Sequence, residues 1–68
     1  MANPFLQLSA RELAVCKHLL QGHNIKEIAY TMDLRPTTVA TYKKRIFEKT
    51  GVETFIDLQH KAGLYNIV

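Results

Sequence analysis

The stretch NIKEIAYTMDLRPTTVATYKKRIFEK, from Asn24 to Lys49, decides the fold of this chain. Asn24 can cap a helix, and Glu27 can reach back to the Asn24 amide as the second half of a capping box. Apolar residues then recur at helical spacing until the short turn of residues 33–35. Pro36 suits the first position of the next helix, because its missing N–H costs nothing there. The stretch therefore predicts a short helix, a tight turn and a longer helix.

Capping signals predict one further helix on each side of this stretch. Ser9 with Glu12 forms a second capping box, and Thr54 with Asp57 forms a third, while Gly63 can close the last helix. No alternating apolar and polar run of strand length occurs. We predict an all-α, four-helix compact domain with a central helix-turn-helix. The helices are expected over residues 9–21, 25–32, 36–49 and 55–62.

Size and composition limit the chain to one small domain. It has 68 residues and a mass of 7.8 kDa, with 47% hydrophobic and 22% charged residues, which is typical of a folded globular chain. Residues 8–68 form the expected domain, and residues 1–7 a lead-in or linker remnant. A single cysteine rules out an internal disulfide and favours a cytoplasmic setting. No apolar run approaches the roughly 18 residues of a membrane span, so no membrane partner is expected.

The longer helix has an outward face that does not belong to a core. With 100° per residue and Val39 as origin, the inward stripe consists of Tyr42, Ile46 and Thr50. The opposite side carries Thr37, Ala40, Thr41, Lys44 and Glu48, flanked by Thr38 and Arg45. Small and hydroxylated side chains in the first turns permit close approach to a DNA major groove, and basic side chains further along can meet phosphates.

The positive charge of the chain is concentrated in this same segment. Residues 35–49 hold five basic side chains and one acidic, a net of +4, although the whole chain carries only +3. The remaining residues therefore sum to −1. A solvated surface helix is the alternative interpretation, because short basic runs are common. The combination of clustered charge, short helix, tight turn and longer helix favours a DNA-binding helix-turn-helix.

Metal binding and catalysis are not expected. Cys16, His18 and His23 lack the tight pairs that zinc sites show, and Cys16 is predicted to be a buried core residue. The three glycines are far apart and do not form a phosphate-binding loop. Glu12 and Glu27 are already used as capping partners. We expect neither an enzyme, nor a cofactor, nor a small-molecule ligand.

The chain resembles the C-terminal DNA-binding domain of the LuxR/FixJ/NarL class of bacterial transcriptional regulators. The likeness runs without a gap from Leu8 to about Ala62. It is carried by Leu8-Ser9-x-Arg11-Glu12, Gln21-Gly22, Lys26-Glu27-Ile28-Ala29, Met32-x-Leu34, Thr38-Val39, Tyr42-Lys43, Ile46, Lys49 and Gly51-Val52. The run Thr-Val-x-Thr-Tyr-Lys is similar to the subgroup whose DNA-binding domain follows a phosphorylatable receiver domain, as in two-component systems.

The resemblance implies binding to double-stranded DNA as a dimer on paired half-sites, and RNA polymerase as a further partner. Its base-contacting positions fall on Ala40, Thr41 and Lys44. Its phosphate-contacting positions fall on Lys26, Thr38 and Arg45, with Thr37 and Lys43 as further candidates. Arg35 is a candidate phosphate contact outside the family pattern.

Four positions depart from the family pattern. Arg35 stands where Ser usually caps the recognition helix, and Ala40 stands where Lys or Ser is common. Thr50 replaces a usual Leu. Gln59 lies in helix 55–62 at a usually apolar position of the inter-subunit surface, so the homodimer through that helix is in doubt for this chain alone. The alternative function is a protein-interaction module that docks on RNA polymerase or a partner regulator with little DNA contact.

Overall fold

The computed structural model describes residues 3–67, which form four α-helices and one short 3-10 helix. The α-helices are α1 (Ala10–Leu20), α2 (Ile25–Met32), α3 (Pro36–Thr50) and α4 (Phe55–Leu64). The 3-10 helix covers Pro4–Gln7. No strand is present within residues 3–67. The all-α, four-helix prediction is confirmed, and α2 has the predicted bounds.

Side-chain caps fix the starts of α1 and α2. The Ser9 hydroxyl accepts from the Glu12 amide at 3.1 Å, and the Ser9 amide donates to the Glu12 carboxylate at 2.8 Å. The same reciprocal pair joins Asn24 and Glu27, at 2.9 and 3.0 Å. The capping boxes predicted for α1 and α2 are therefore confirmed.

Helix α4 begins at Phe55 with Thr54 as its N-cap, as predicted, but its capping box and its end differ from the prediction. The Thr54 hydroxyl accepts from the Asp57 amide at 3.1 Å, but among the described residues no bond returns from Asp57, so only half of this capping box forms. Gly63 does not end the helix, which runs on to Leu64. The left-handed conformation at this end is taken by Asn66, with a φ of 55°. The Ile67 amide then bonds back to the Ala62 carbonyl at 3.0 Å.

The core is built around α3, which packs against α1, α2 and the N-terminal 3-10 helix. Its buried apolar members are Phe5, Val15, Cys16, Leu19, Ile28, Ala29, Val39, Ile46, Leu58 and Ala62. The segment expected as a lead-in thus contributes Phe5, whose ring lies 6.1 Å from that of Tyr65. Met1 and Ala2 of that segment lie outside the described residues. The apolar C-terminal segment packs on the domain through Tyr65 and Ile67, and Val68 is again outside the described residues.

Candidate nucleic-acid interface

Helix α3 is buried on one side and exposed on the other. Val39 and Ile46 are completely buried, Thr50 is almost so, and Tyr42 is half-buried against the core. The side chains of the opposite side are all exposed, namely Thr37, Ala40, Thr41, Lys44 and Glu48. The helical wheel therefore placed the two sides of α3 correctly, and the exposed side forms a continuous stripe.

The turn before α3 sets its direction. Asp33 ends α2 in the left-handed conformation, with a φ of 55°, and the Leu34 amide donates to the Ala29 carbonyl at 2.8 Å. Arg35 is the N-cap residue of α3, but its side chain makes no capping bond and is exposed. Pro36 occupies the first turn, as predicted. The guanidinium group is therefore not used by the helix start.

Two basic residues from different helices line one shallow concavity. Lys26 in the first turn of α2 and Lys43 on α3 both border a surface depression of about 490 Å³ between the end of α1 and the start of α2. Lys26 is exposed, whereas Lys43 is half-buried with its ammonium 5.7 Å from the centre of the Phe47 ring. This contact is a cation–π interaction. The intermediate position of Lys43 agrees with its place near the inner side of the wheel.

Thr38 and Arg45 flank the exposed stripe. Arg45 is exposed and Thr38 is half-buried. All nine residues expected to contact DNA thus retain some exposure, and seven of them are exposed: Lys26, Arg35, Thr37, Ala40, Thr41, Lys44 and Arg45.

The hydroxyl of Thr41 is engaged within the helix. Its Oγ1 donates to the carbonyl oxygen of Thr37, one turn earlier, at 3.0 Å. The bond uses the single hydroxyl proton of Thr41, whose side chain is exposed. Sequence reasoning does not find this bond, because a helical threonine has two accessible χ1 rotamers.

The charge of Lys49 is paired with a buried carboxylate, although the Lys49 side chain is 39% exposed. Its Nζ lies 2.7 Å from the Glu12 carboxylate, which is only 3% exposed. The hydrogen bond from Lys49 lowers the pKa of Glu12, and the bond from the Ser9 amide lowers it further. The net of +4 assigned to residues 35–49 therefore includes one charge that is neutralised by α1. No spacing in the sequence signals a pair 37 residues apart.

A second lysine binds the end of α3. Lys61 of α4 donates from Nζ to the Thr50 carbonyl at 2.7 Å, while the buried Thr50 hydroxyl donates to the Ile46 carbonyl at 2.6 Å. Thr50 thus satisfies its polar group within α3, at a place where an apolar side chain was expected from the family.

The residues considered as metal ligands have separate surroundings in the structure. Cys16 is completely buried, as predicted, and burial raises the pKa of its thiol to about 11. His18 and His23 lie with ring centres 5.7 Å apart, and His23 also approaches Glu27 at 3.7 Å. Within residues 3–67, no three side chains of metal-binding type are grouped together.

The two aromatic residues next to the helix-turn-helix differ in burial. Tyr30 projects from α2 with 91% of its surface exposed, whereas Phe47 packs on the core. No helix in the described part of the chain is long and apolar enough to cross a bilayer.

Comparison with known proteins supports a family assignment. The family model described as "Bacterial regulatory proteins, luxR family" matches residues 6–62. The response regulator UvrY of Escherichia coli K12 is 36% identical over 67 residues, covering 94% of this chain and 31% of UvrY. The response regulator GacA of Pseudomonas aeruginosa is also 36% identical, over 66 residues, covering 97% of this chain and 31% of GacA.

A third relative is the transcriptional regulatory protein UhpA of Salmonella typhimurium, 39% identical over 54 residues, which are 79% of this chain and 28% of UhpA. The chain therefore spans less than a third of the length of each of these relatives. No solved structure matches it significantly. The family match covers most of the chain and includes α1 to α3 and most of α4, so the chain belongs to the luxR family of bacterial regulatory proteins and is its helix-turn-helix domain.

Proposed function

We propose that this chain binds double-stranded DNA sequence-specifically, as the output domain of a bacterial transcriptional regulator acting in the cytoplasm. The observation that carries the proposal is the exposed stripe of α3, small and hydroxylated in its first turns and basic further along. An α-helix with such a surface fits the major groove, where base edges are distinguishable. In this arrangement Ala40, Thr41 and Lys44 contact bases.

Phosphate contacts supply the affinity and the register. The proposed contacts come from Lys26, Arg35, Thr37, Thr38, Lys43 and Arg45. Lys26 and Lys43 border the same concavity, so one DNA strand can meet both helices there. Each neutralised phosphate releases counterions, which makes binding strongly dependent on salt.

The relatives named response regulators support a place for this domain in a two-component system. In that role the domain follows a receiver domain, acts as a dimer on paired half-sites and recruits or blocks RNA polymerase. Pairing raises the affinity, because one small domain has a limited interface with DNA.

The test is selection of bound sequences from a random duplex pool, followed by binding measurements over a range of salt concentrations. Lys44→Ala is expected to weaken binding to the selected sequence by about 1–3 kcal/mol and to relax discrimination at one base pair. Arg45→Ala is expected to weaken binding to all sequences and to reduce the salt slope by about one unit. Lys17→Ala is the matched control, since Lys17 is exposed on α1 and borders a depression lined by residues at the end of α1 and in the C-terminal segment, none of them on α3.

A protein-interaction module is the second candidate, and exposed apolar side chains favour it. Tyr30 on α2 and Ile56 and Leu64 on α4 are 91%, 74% and 69% exposed. If Lys44→Ala and Arg45→Ala both leave binding to every duplex unchanged while a partner protein still binds, protein interaction replaces DNA binding as the proposed function.

A further inference from the structure

After Thr37, the exposed stripe of α3 carries two neighbouring residues that have a methyl group. Ala40 offers only its methyl, and Thr41 offers a methyl beside an oxygen. The single hydroxyl proton of Thr41 is bonded to the Thr37 carbonyl at 3.0 Å. A threonine hydroxyl has one proton and two lone pairs, so Thr41 in this state is an acceptor and has no proton for a base.

This state restricts what Thr41 can recognise in a major groove. The guanine O6 and N7, the adenine N7 and the thymine O4 are acceptors and require a donor from the protein. The Thr41 lone pairs can still accept from the adenine N6 or cytosine N4 amino groups, whereas the thymine C5-methyl group requires an apolar contact, which the Ala and Thr methyls provide. Ala40 has no polar side-chain group, so the apolar contact is the one it can make. Lys44 lies one turn further along the same stripe, is exposed and is able to donate to guanine.

We propose that Ala40 and Thr41 recognise thymine through its C5-methyl group, with the Thr41 hydroxyl held by the Thr37 carbonyl and not used as a donor to a base. The half-site then has thymines facing the first turns of α3 and a guanine within reach of Lys44. This proposal rests on the proposed function, and it adds the chemistry by which the bases are distinguished.

The size of the effect follows from the burial of one methyl group. Burial of a methyl or methylene is worth about 0.8 kcal/mol, which corresponds to about a fourfold change in Kd. Removing one contacted thymine methyl from the DNA is therefore expected to weaken binding about fourfold.

The experiment uses the half-site obtained by selection from a random duplex pool. Each thymine is replaced in turn by deoxyuridine, which lacks the C5-methyl but keeps every hydrogen-bonding group, and Kd is measured by fluorescence anisotropy. The expected result is a fourfold loss at one or two adjacent positions and no loss elsewhere. A selected half-site without thymine opposite the first turns of α3, or uracil substitution without effect at every position, overturns the proposal.

Two variants of Thr41 identify the group that makes the contact. Thr41→Val keeps the methyl and removes the hydroxyl, so the fourfold uracil penalty is expected to persist. Thr41→Ser keeps the hydroxyl and removes the methyl, so the penalty at that base pair is expected to disappear. A uracil penalty that persists in full in Thr41→Ser shows that the Thr41 methyl does not contact the thymine methyl. A loss of binding to the unsubstituted half-site in Thr41→Val shows that the hydroxyl is used by a base, and either result overturns the proposal.

Failure of the proposed function has a different signature. In that case no sequence is enriched from the pool, and the variants of Lys44 and Arg45 leave duplex binding unchanged. Enrichment of a sequence that is insensitive to every uracil substitution leaves DNA binding intact and removes only the methyl-based recognition.

Discussion

At the scale of single residues, Glu12 has two structural tasks. Its carboxylate accepts from the Ser9 amide at the start of α1 and from Lys49 near the end of α3. Glu12 is almost fully buried, while the side chain of Lys49 is 39% exposed. A buried carboxylate without its cation is costly, because no water replaces the lost partner. The pair therefore links the helix that carries the exposed stripe to α1.

Glu12→Gln is expected to lower the free energy of unfolding at neutral pH by about 2 kcal/mol, the usual worth of a hydrogen bond to a charged group. The lowered pKa of Glu12 sets the pH dependence of this loss. The Glu12 carboxyl group takes up its proton at a lower pH in the folded state than in the unfolded chain. The stability that the Glu12 charge provides is therefore complete above the unfolded pKa of about 4.5. It is lost as the pH falls through the pKa of the folded state.

Urea denaturation followed by circular dichroism at pH 7 and near pH 3 measures this effect. The difference between Glu12→Gln and the parent chain should be large at pH 7 and should shrink in acid. Glu53→Gln is the control, because Glu53 is exposed before α4 and has no ion-pair partner among the described residues. A difference that does not change with pH contradicts the assigned role of the Glu12 charge.

At the scale of helices, the ends are decided by individual backbone conformations. Gly51 ends α3 in the left-handed conformation, with a φ of 72°, whereas Gly63 lies inside α4. A side chain at Gly51 would be strained by its backbone, although the nearest atom to an added Cβ is the Lys61 ammonium at 3.7 Å. An added Cβ at Gly63 would meet no atom within 4 Å.

Alanine at these two glycines is therefore expected to have opposite effects. Gly51→Ala should lower the free energy of unfolding by about 1–2 kcal/mol, the cost of a left-handed backbone for a residue with a Cβ. Gly63→Ala should raise it by about 0.5–1 kcal/mol, because alanine has the higher helix propensity. Urea midpoints of the two variants check this, and a change of the same sign in both would contradict the assignment of the helix ends.

Arg35→Ser tests whether arginine at the N-cap of α3 lowers the stability of the fold while contributing to DNA binding. The backbone of Arg35, with φ −78° and ψ 145°, already has the extended conformation of an N-cap. Serine is expected to add a capping bond worth about 1 kcal/mol. The same change should reduce the salt slope of duplex binding by about one unit, if Arg35 meets a phosphate as proposed.

Arg35→Ala is the matched variant, because it removes the charge without supplying a cap. It should reproduce the change in salt slope and should not stabilise the chain. An unchanged salt slope in both variants removes Arg35 from the phosphate contacts, and an unchanged stability in Arg35→Ser shows that a serine cap does not form.

The helices could be predicted because their signals are local. The capping boxes of Ser9 and Asn24 and the proline at residue 36 each act within one turn of the chain. The end of α4 could not be predicted in this way. Gly63 and Asn66 both tolerate a left-handed backbone, and the choice between them depends on how far α4 stays packed on the core.

At the scale of the whole molecule, the exposed stripe of α3 could be predicted from the sequence. The contacts that hold the helices together could not. Helical periodicity alone separates Thr41 and Lys44 from Val39 and Ile46. Burial of Phe5 against Tyr65 and the bond from Lys61 to Thr50 join distant parts of the chain. Such contacts form only when the helices pack, so no local sequence pattern predicts them. The contacts expected with DNA remain predictions for the same reason, since they need the partner.

Association of two chains is the last property that belongs to the whole molecule. Gln59 is exposed on α4, close to the exposed Ile56, on the helix expected to pair two subunits. A two-fold interface would bury two copies of its amide. Leaving both without partners costs about 2 kcal/mol or more, which weakens the dimer Kd by about 30-fold. We therefore expect this chain alone to be largely monomeric at micromolar concentration.

Sedimentation velocity over a concentration series measures this directly. Gln59→Leu should promote association, because it replaces the amide with apolar surface beside Ile56. Gln21→Leu is the control, since it adds the same side chain at an exposed position at the end of α1 and should not promote pairing. A tight dimer of the unchanged chain without DNA contradicts the prediction. Association of both variants to the same extent shows that added apolar surface, and not the α4 face, is responsible.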